Sequence, residues 1–386
     1  DVFDRKSWDA LYGTDAIFQQ HAFCRAVENS GFPDISFYYL RIKDGDETIG
    51  VVPCFSYRVG LEILAGDFLK KIAVFCRKLF PNFLRPKLFV VGSPVATCEN
   101  HICLDASRIK ENDLIRLGNE VFDQIASKAM GLRTHLTIVK EIPHEELQDF
   151  NHLFSNRFKV MESLANSFVP LFKESNYPAL LRKRYRSRIK SSVRKVKANG
   201  YQWEVIEDFS ALSEEMFSLY LNVWNKSKYK FERLTPAFFQ NLNTELGDNS
   251  FLLSCTDADG QIVCAELVVV GEDTLIPMYL GLGYKTELNA DIYNSVIYQS
   301  ILEAEKRGKP WLVLGQTSYQ VKAYNGALFE KTYLGISAQR GLMKLIVKYC
   351  TNLLSEKFSK PLVNAYKQEA LDEEAFKNRM LTRKFE

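Results

Sequence analysis

The second half of the chain contains three apolar runs that are separated by two short polar turns. The runs lie at 250–255, 261–270 and 274–282, and the turns are Asp257–Gly260 and Gly271–Asp273. Turns rich in aspartate and glycine between apolar runs are typical of neighbouring antiparallel strands. The sequence therefore predicts a three-stranded meander, which commits this part of the chain to a β-sheet.

The residues after the meander predict a helix, a strand and a loop. Apolar residues recur at helical spacing across 291–307, and Gly308 ends the pattern. Trp311–Leu314 is predicted to be a short buried strand, because four apolar residues follow one another and a glycine comes next. Residues 316–327 are then expected to form a functional loop.

The first half of the chain repeats part of this pattern. A helical stretch at 17–30 precedes two strand-like runs, 35–42 and 47–57, which flank an Asp-Gly turn. Segments 47–50 and 261–264 both begin a strand with a polar residue and an isoleucine close behind it. This weak similarity suggests two related α/β units.

The length of the chain favours two domains, since 386 residues are too many for one ordinary core. We expect a first unit at 1–160, a second unit at 161–345 and a C-terminal segment at 346–386. An apolar helix at 343–354 leads into that segment, and the charged residues from Lys367 onward are expected to be peripheral.

Nine basic residues and no acidic residue lie between Arg182 and Lys197. Apolar residues recur every three or four positions within this segment, so it is predicted to be a packed helix with a positive outer face. Four of the basic residues follow one another at four-residue steps and share one face of that helix: Arg182, Arg186, Lys190 and Arg194. Such a face suits a donor that carries phosphates. A solvated helix whose charges pair with acids elsewhere is an equal alternative.

The overall composition limits the other functions. The net charge of +3 is too small for a protein that coats nucleic acid, and no apolar run is long enough to span a membrane. The first residues lack the apolar core of a signal peptide. The motif Cys98-x-x-His101-x-Cys103 lacks an evident fourth ligand, so we expect no metal and free cysteines in a reducing cytoplasm. Motifs of hydrolases, P-loop NTPases and zinc proteases are absent from the sequence.

Residues 68–84 combine four basic residues with a helical apolar face. A basic amphipathic helix of this kind can lie on a membrane surface or cover a lipid-linked substrate. Simple packing on the first unit is the alternative. The sequence therefore predicts a cytoplasmic protein, with peripheral membrane contact through 68–84 as an open possibility.

Several segments of the second half occur in a characteristic order. They are Phe168–Leu171, Arg182–Gly200, Trp203–Asp208, Tyr220–Trp224, Glu305–Gly308, Leu314-Gly315, Tyr319–Lys322 and Gly326-Ala327. Together they cover about residues 165–335. In this order they resemble the GNAT-fold acyltransferases that are allied to the Fem peptidoglycan aminoacyl-ligases.

The resemblance implies a mixed α+β or α/β fold with two GNAT-like units, each with a mixed, largely antiparallel sheet flanked by helices. It implies an N-acyltransferase of the bacterial cell envelope or of secondary metabolism, which transfers an acyl or aminoacyl group to an amine or hydroxyl of a small-molecule or cell-envelope acceptor. No cofactor would be bound permanently. The co-substrate would be acyl-CoA, an acyl-carrier protein or an aminoacyl-tRNA, so a carrier protein or tRNA becomes a possible partner.

The resemblance also implies a role for Lys322, because a lysine in this motif of the Fem ligases is assigned to stabilising the oxyanion. The chain departs from the family's pattern at two places. The turn at 283–290, where simple GNAT enzymes hold the pyrophosphate of coenzyme A, has one glycine, and Glu287 would oppose a phosphate there. Asn325 stands where an aromatic residue commonly precedes the glycine of the lysine motif.

Five further residues are candidates for the site. Gln316 and Ser318 are expected to bind substrate, and Tyr319 to donate a proton or orient the acceptor. Glu266 lies in an apolar run, where it is either a general base or an edge residue. Trp224 either lines a substrate pocket or belongs to the core.

Two functions compete with the enzyme hypothesis. A non-catalytic nucleic-acid-binding protein would use the basic helix alone, with strong dependence of binding on salt. A membrane-associated GNAT-like protein without activity would keep the fold and bind no donor.

Overall fold

The computed structural model describes most of the chain as two compact units. The described residues are 4–12, 16–60, 85–97, 99, 101–104, 109, 111–148, 150, 157–172, 176–227, 232–338, 343–345, 347 and 358–381. The first unit takes its residues from within 1–12, 32–163 and 332–357, and the second from within 13–31, 164–331 and 358–386. The predicted helix at 68–84 lies outside the described residues, as does most of the one predicted at 343–354.

The first unit is built on one mixed sheet with the strand order β1-β2-β3-β5-β14-β6, and β4 pairs with β2. Its strands are β1 (Ser36–Asp44), β2 (Glu47–Arg58), β3 (Lys87–Val91), β4 (Cys103–Leu104), β5 (Leu136–Pro143), β6 (Lys159–Glu162) and β14 (Thr332–Ala338). Its described helices are α1 (Arg5–Asp9) and α3 (Glu111–Gly131). The hairpin predicted around Asp44 is present, because Asp44 pairs with Glu47 at its end.

The second unit is built on a sheet with the order β13-β7-β12-β11-β10-β9-β8. Its strands are β7 (Asn166–Pro170), β8 (Gln202–Ile206), β9 (Ser250–Thr256), β10 (Ile262–Val270), β11 (Thr274–Leu282), β12 (Trp311–Gly315) and β13 (Leu328–Glu330). Its described helices are α2 (His21–Glu28), α4 (Tyr177–Leu180), α5 (Lys183–Ala198), α6 (Ser213–Lys226), α7 (Pro236–Leu246), α8 (Asn289–Lys306), α9 (Tyr319–Tyr324), α10 (Gln368–Asp372) and α11 (Glu374–Leu381). The predicted meander is strands β9, β10 and β11, which pair antiparallel in sequence order.

The two sheets share one connectivity. Each contains one parallel pair, β3 with β5 and β11 with β12, and a helix joins the two strands of each pair. Beyond each pair follow two antiparallel strands, β14 and β6 in the first sheet and β7 and β13 in the second. The strands β6 and β7 are consecutive in the chain yet lie in different sheets, as do β13 and β14. The second half of the chain therefore gives strand β14 to the sheet of the first unit.

The placement of β14 and of the segment that contains α2 makes the units discontinuous, unlike the linear division into 1–160, 161–345 and 346–386. The helix α2 belongs to the second unit, where Arg25 forms an ion pair of 3.0 Å with Glu245 at the end of α7. The strand β14 belongs to the first unit because it pairs with β5 and β6. Pairing between strands distant in sequence leaves no mark on composition, so the sequence could not reveal it.

The sheet of the second unit has a helical layer on each face. Helices α5 and α8 bury Ile189, Val196 and Ile292 on one face, in the same core as Cys264 and Val268 of β10. Helices α6 and α7 cover the other face, where Gly281 allows close approach: a Cβ there would lie 2.5 Å from the Cβ of Leu219. Successive residues of a strand point to opposite faces, so side chains of neighbouring residues enter different layers.

The C-terminal residues are part of this unit and not a peripheral tail. Tyr366 and Phe376 are buried, and their rings meet edge to face at 5.0 Å. The backbone around Tyr366 bridges to Leu181, and its hydroxyl donates to the carbonyl of Gly326 at 2.6 Å. We refer to residues 358–367 as the C-terminal strap. The expectation of a peripheral tail was wrong. The many charged residues of this segment are exposed, and they obscure the sequence signal of the buried aromatic and small residues between them.

Candidate functional site

The parallel strands β11 and β12 pair at only two positions. Thr274 pairs with Trp311 and Leu275 with Leu312, whereas β11 continues to Leu282 without a partner on this side. The backbone groups on this edge of β11 therefore leave the hydrogen-bonded ladder from Ile276 onward. The parallel strands β3 and β5 of the first sheet are paired at four consecutive positions. The early separation of β11 from β12 is therefore specific to the second unit. It creates an opening between neighbouring strands where polar side chains from several elements can meet.

Lys322 lies at the end of β12 beside this opening. It belongs to helix α9, which occupies part of the segment 316–327 that the sequence predicts as a loop. Its Nζ is buried and donates to the carbonyl oxygens of Leu314 at 2.6 Å, Gly315 at 3.2 Å and Gln316 at 2.7 Å. Since an ammonium group has three protons, these carbonyls hold it in one position. The result is a fixed positive charge at the carboxyl end of β12.

Glu266 lies in β10 on the sheet face covered by α8. Its side chain is buried, and its Oε2 accepts a hydrogen bond of 2.5 Å from the hydroxyl of Ser300 in α8. Within the described part of the chain, its second oxygen accepts no hydrogen bond. Burial raises the pKa of Glu266 to about 7, although the bond from Ser300 and the charge of Lys322 oppose this shift. A carboxyl with such a pKa can take up and release a proton near neutral pH.

The backbone between β12 and α9 turns sharply. Gly315, Thr317 and Ser318 all have positive φ, at 63°, 63° and 49°. This region costs little for glycine but of the order of 1–3 kcal/mol for each of the other two residues. The turn leaves Ser318 exposed, within hydrogen-bonding reach of the phenol of Tyr293, whose pKa burial raises. A cavity of about 600 Å³, lined by residues 318–321 and 359–362, opens beside it.

The two remaining candidates of this segment make contacts that hold the fold. Gln316 donates through Nε2 to the carbonyl of Leu164 at 3.1 Å, and Tyr319 donates through its hydroxyl to the carbonyl of Ala165 at 3.0 Å. The ring of Tyr319 also packs edge to face on Phe358, with centroids 4.9 Å apart. Tyr319 therefore joins α9 to the strand β7 and to the C-terminal strap. A proton-donating role for Tyr319 would require its hydroxyl to leave Ala165.

Helix α5 is the basic helix predicted from sequence, and its cations fall into two groups. Arg182, at its start, donates through Nε to the carbonyl of Tyr366 at 2.8 Å and so holds the C-terminal strap. Lys195 lies 3.2 Å from Asp291, which also accepts a bond of 2.7 Å from Ser192. Both cations therefore already interact with groups of the protein itself.

The second group consists of five cations on the outer surface of α5, at steps of three and four residues: Lys183, Arg186, Lys190, Arg194 and Lys197. We refer to them as the cationic stripe. Among the described residues, no acid forms an ion pair with any of them. The stripe spans about 21 Å, since the helix rises about 1.5 Å per residue.

Comparison with family models shows a match to the FemAB-like family, described as peptidoglycan biosynthesis/recognition, over residues 1–315. The chain belongs to the FemAB-like family. This confirms the resemblance seen in the sequence. The match ends at Gly315, so it does not extend to α9, which carries Lys322. No protein among the curated sequences matches this FemAB-like chain.

Solved structures share the fold of this FemAB-like protein at low sequence identity. FemX superposes with a TM-score of 0.58 at 11% identity, covering 89% of this chain and 98% of FemX. The C-terminal domain (DUF2156) of a protein described as a lysylphosphatidylglycerol synthetase from Agrobacterium fabrum gives 0.53 at 11% identity, with coverages of 90% and 96%. A tandem GNAT protein from the clavulanic acid biosynthesis pathway gives 0.49 at 9% identity, with coverages of 87% and 93%. The predicted architecture, two units that each have a mixed sheet flanked by helices, is confirmed.

Trp224 of the FemAB-like chain lies on the other face of the sheet from Glu266. Its Nε1 donates to the carbonyl of Glu232 at 2.8 Å, and the carboxylate of Glu232 accepts from the hydroxyl of Tyr279 at 2.6 Å. Tyr279 pairs with Leu267, the neighbour of Glu266 in β10, so the two side chains enter opposite layers. The structure therefore places Glu266 within electrostatic reach of Lys322, whereas Trp224 lies in the opposite layer, where it shares the partner Glu232 with Tyr279.

Two residues of the site were not singled out from the sequence. Ser300 lies on the buried side of α8, and a serine in an otherwise apolar stripe was the signal that could have identified it. Tyr293, on the same helix, gave no signal, because a tyrosine at a partly buried position is common.

The described residues contain no group of three or more acidic, histidine or cysteine side chains that could hold a metal. Cys98 and the side chain of Cys103 lie outside them. His101 is buried, and burial together with the charge of Lys140 lowers its pKa to about 3. Within the same described residues, no helix is long and apolar enough to cross a membrane.

Proposed function

We propose that this FemAB-like protein transfers an aminoacyl group from an aminoacyl-tRNA to an amine of a cell-envelope acceptor. The observation that carries the proposal is that Glu266 lies within electrostatic reach of Lys322, which is held beside the opening between β11 and β12. Glu266 supplies a buried carboxyl with a pKa of about 7, and Lys322 supplies a fixed positive charge. The basic helix α5 covers the same face of the sheet.

The reaction needs one proton acceptor and stabilisation of one negative charge. The acceptor nitrogen attacks the ester carbonyl of the donor, a C–N bond forms, and the carbonyl oxygen becomes an oxyanion. Glu266 takes the proton that the nitrogen loses. When the ester C–O bond breaks, that proton passes to the leaving ribose oxygen, so the carboxylate is regenerated.

Lys322 acts through the end of β12. Its three donors are directed at the carbonyls of residues 314–316, so its charge offsets the partial negative charge that these carbonyls would otherwise present to an oxyanion. Ser318 and the cavity beside it offer the acceptor a place to bind. The strained turn at Thr317 positions Ser318, whose hydroxyl lies within hydrogen-bonding reach of Tyr293.

An RNA donor fits the charges of the second unit better than acyl-CoA does. The turn before α8 begins with a single glycine and contains the exposed Glu287, and Asp291 lies in the first turn of that helix. Two carboxylates at a helix N-terminus oppose a pyrophosphate. The cationic stripe, in contrast, offers a row of charges about 21 Å long, which suits a chain of phosphates.

The relatives support an aminoacyl donor and a cell-envelope acceptor. The family is described by peptidoglycan biosynthesis/recognition, and one structural neighbour is described as a lysylphosphatidylglycerol synthetase, a name that denotes attachment of a lysyl group to a lipid. Acyl-CoA and acyl-carrier protein remain the donors that the experiment must exclude.

The proposal is tested by incubating the full chain with a mixture of labelled aminoacyl-tRNAs and a cell-envelope precursor fraction. We expect label to move to the acceptor, and Glu266→Gln to lower the rate about 100-fold, as loss of a general base does. Glu287→Gln, which changes an exposed carboxylate, is the matched control and should keep the rate. Transfer from acyl-CoA but not from aminoacyl-tRNA would refute the assignment of the donor.

One observation favours a second function, RNA binding without catalysis. The cationic stripe alone suffices for it, and it assigns no part to Glu266 or Lys322. Under this alternative, RNA binds with steep salt dependence and no aminoacyl group is transferred by the unmodified chain.

A further inference from the structure

Two tyrosines and two arginines form a stack where helices α5 and α9 meet. The rings of Tyr185 and Tyr324 are stacked with centroids 5.9 Å apart and an interplanar angle of 27°. The guanidinium of Arg188 lies over the ring of Tyr324 at 4.4 Å, and that of Arg184 lies over the ring of Tyr185 at 5.9 Å. The tyrosines are half-buried and the arginines are exposed, so the outer surface of the stack is made of guanidinium groups.

Among the residues that the structure describes, these arginines have none of the ion-pair partners that usually hold an arginine on a folded protein. Within the described part of the chain, neither Arg184 nor Arg188 forms an ion pair or donates a hydrogen bond to the protein. Arg182 and Lys195 of the same helix, in contrast, are held by the C-terminal strap and by Asp291. A guanidinium stacked on an aromatic ring keeps its outer planar face and its N–H edges free to meet another planar, polar group.

The stack is connected to the proposed site through one short helix. Tyr324 and Lys322 are two residues apart in α9, so they point to opposite sides of that helix. Lys322 points inward to the end of β12, and Tyr324 points outward to α5. A group bound on the stack is therefore within one helix diameter, about 10 Å, of the fixed charge at the site.

We propose that this stack binds an unpaired base of the RNA donor. Flat unpaired bases stack on aromatic rings and on guanidinium planes, and this is how proteins hold single-stranded ends of RNA. The cationic stripe, on the other flank of the exposed surface of α5, then receives the phosphates of the RNA as it crosses the helix. This inference rests on the proposed function, because it assumes that the donor is an RNA.

The adenine of coenzyme A could also stack on a guanidinium, so the length of the stripe decides between the two ligands. The pyrophosphate and single further phosphate of coenzyme A would not occupy five cations along about 21 Å of helix. An RNA with several consecutive phosphates would. The inference is therefore stated for RNA, and binding of coenzyme A becomes an outcome of the experiment.

The test measures binding of two RNA hairpins to the full chain by fluorescence anisotropy. One hairpin ends in four unpaired nucleotides at its 3′ end, and the other carries abasic sites at the same four positions. We expect the unmodified protein to bind the first about 10-fold more tightly, in keeping with the stacking of one base. Arg188→Lys, which keeps the charge but removes the planar group, should reduce this preference to less than about twofold without weakening binding of the abasic hairpin.

Arg116→Lys is the matched control, because Arg116 is an exposed arginine of helix α3, outside the cationic stripe, and contacts no ring within the described residues. It should keep the preference. Tyr324→Phe should keep it as well, since the ring remains, whereas Tyr324→Leu should remove it. Circular dichroism confirms that each variant is folded before its affinity is compared.

The outcomes separate this inference from the proposed function. If the protein binds both hairpins equally, or Arg188→Lys weakens both equally, the base-binding subsite is refuted while the RNA donor stands. If neither hairpin binds, the proposed donor is refuted together with the subsite. If coenzyme A binds with the Arg188 dependence expected here and the hairpins do not, the stack serves a nucleotide cofactor and the assignment to RNA is wrong.

Discussion

The carboxyl group of Glu266 should make the stability of the protein depend on pH in a specific way. Its ordinary pKa is 4.5, and burial raises it to about 7 in the folded state. Between these values the folded state keeps a proton that the unfolded state releases, so the free energy of unfolding falls as pH rises. The contribution is fully present below about pH 4.5 and is lost as pH rises through about 7. Its size is about 3 kcal/mol, since each pH unit corresponds to about 1.4 kcal/mol.

The substitution Glu266→Gln isolates this effect. Glutamine has nearly the same shape, and its Oε1 can accept the hydrogen bond from Ser300. We therefore expect the variant to equal the unmodified protein within about 1 kcal/mol at pH 5, and to be more stable by up to about 3 kcal/mol at pH 8. The difference is measured from thermal unfolding at pH 5, 6, 7 and 8. The same variant should lose aminoacyl transfer, so a gain in stability would accompany a loss of function.

The control for this prediction is Glu287→Gln, which changes an exposed carboxylate and should alter stability by less than about 0.5 kcal/mol at each pH. A difference between Glu266→Gln and the unmodified protein that stays constant from pH 5 to pH 8 would show that Glu266 is ionised throughout. A variant that is less stable at pH 8 would show that attraction to Lys322 outweighs burial. Either result would refute the argument that burial sets the protonation of Glu266.

Three further substitutions test other parts of the second unit. Gly281→Ala should destabilise the second unit by about 1–3 kcal/mol in thermal unfolding, because the new methyl group would meet Leu219. Gly131→Ala is the control. A methyl group there has no neighbour within 4 Å, so stability should change by less than about 1 kcal/mol. Asp291→Asn should raise affinity for RNA about twofold to fivefold in an anisotropy titration, because it releases Lys195 from its ion pair. Unchanged affinity would contradict the idea that this ion pair keeps Lys195 from binding RNA. Arg182→Ala should make the C-terminal strap more sensitive to limited proteolysis and leave the salt dependence of RNA binding unchanged, while a drop in that dependence would return Arg182 to the donor-binding group.

The local elements of this fold were predictable because their signals are local. The meander at 250–282 was predictable from turns such as Asp257–Gly260. In the structure this turn joins β9 to β10, and the carboxylate of Asp257 accepts hydrogen bonds from the backbone. The basic helix was predictable because Ile189 and Val196 face the core at helical spacing. The pairing of β7 and β14 with distant strands was not predictable, since it joins residues more than 140 positions apart, such as Trp311 with Pro170 in one sheet and Thr332 with Pro143 in the other.

The site was predictable in part, and its limits follow from the same cause. Glu266 stood out because a carboxylate in an apolar run must either reach an edge or be satisfied inside, and Ser300 satisfies it. Asp291 lies in the first turn of α8, and its carboxylate is held by Ser192 and Lys195 of α5, a contact that spacing along the chain could not reveal. Spacing along the chain showed which cations share a face of α5. It could not show that Arg182, at the start of α5, donates its hydrogen bond to the C-terminal strap, which lies some 180 residues later in sequence.

The distribution of charge explains why one helix can direct the donor. The nine basic residues of 182–197 convert a remainder that carries a net charge of −6 into a chain of net charge +3. A polyanion is therefore repelled on average by the rest of the surface and attracted to α5, which is how a modest overall charge produces a local binding face. Arg182 and Lys195 already interact with groups of the protein itself. The polyanion is therefore attracted mainly by the cationic stripe and by the stacked arginines. The stacked arginines border the helix that carries Lys322, so the cations that capture the donor also determine where its reactive end lies.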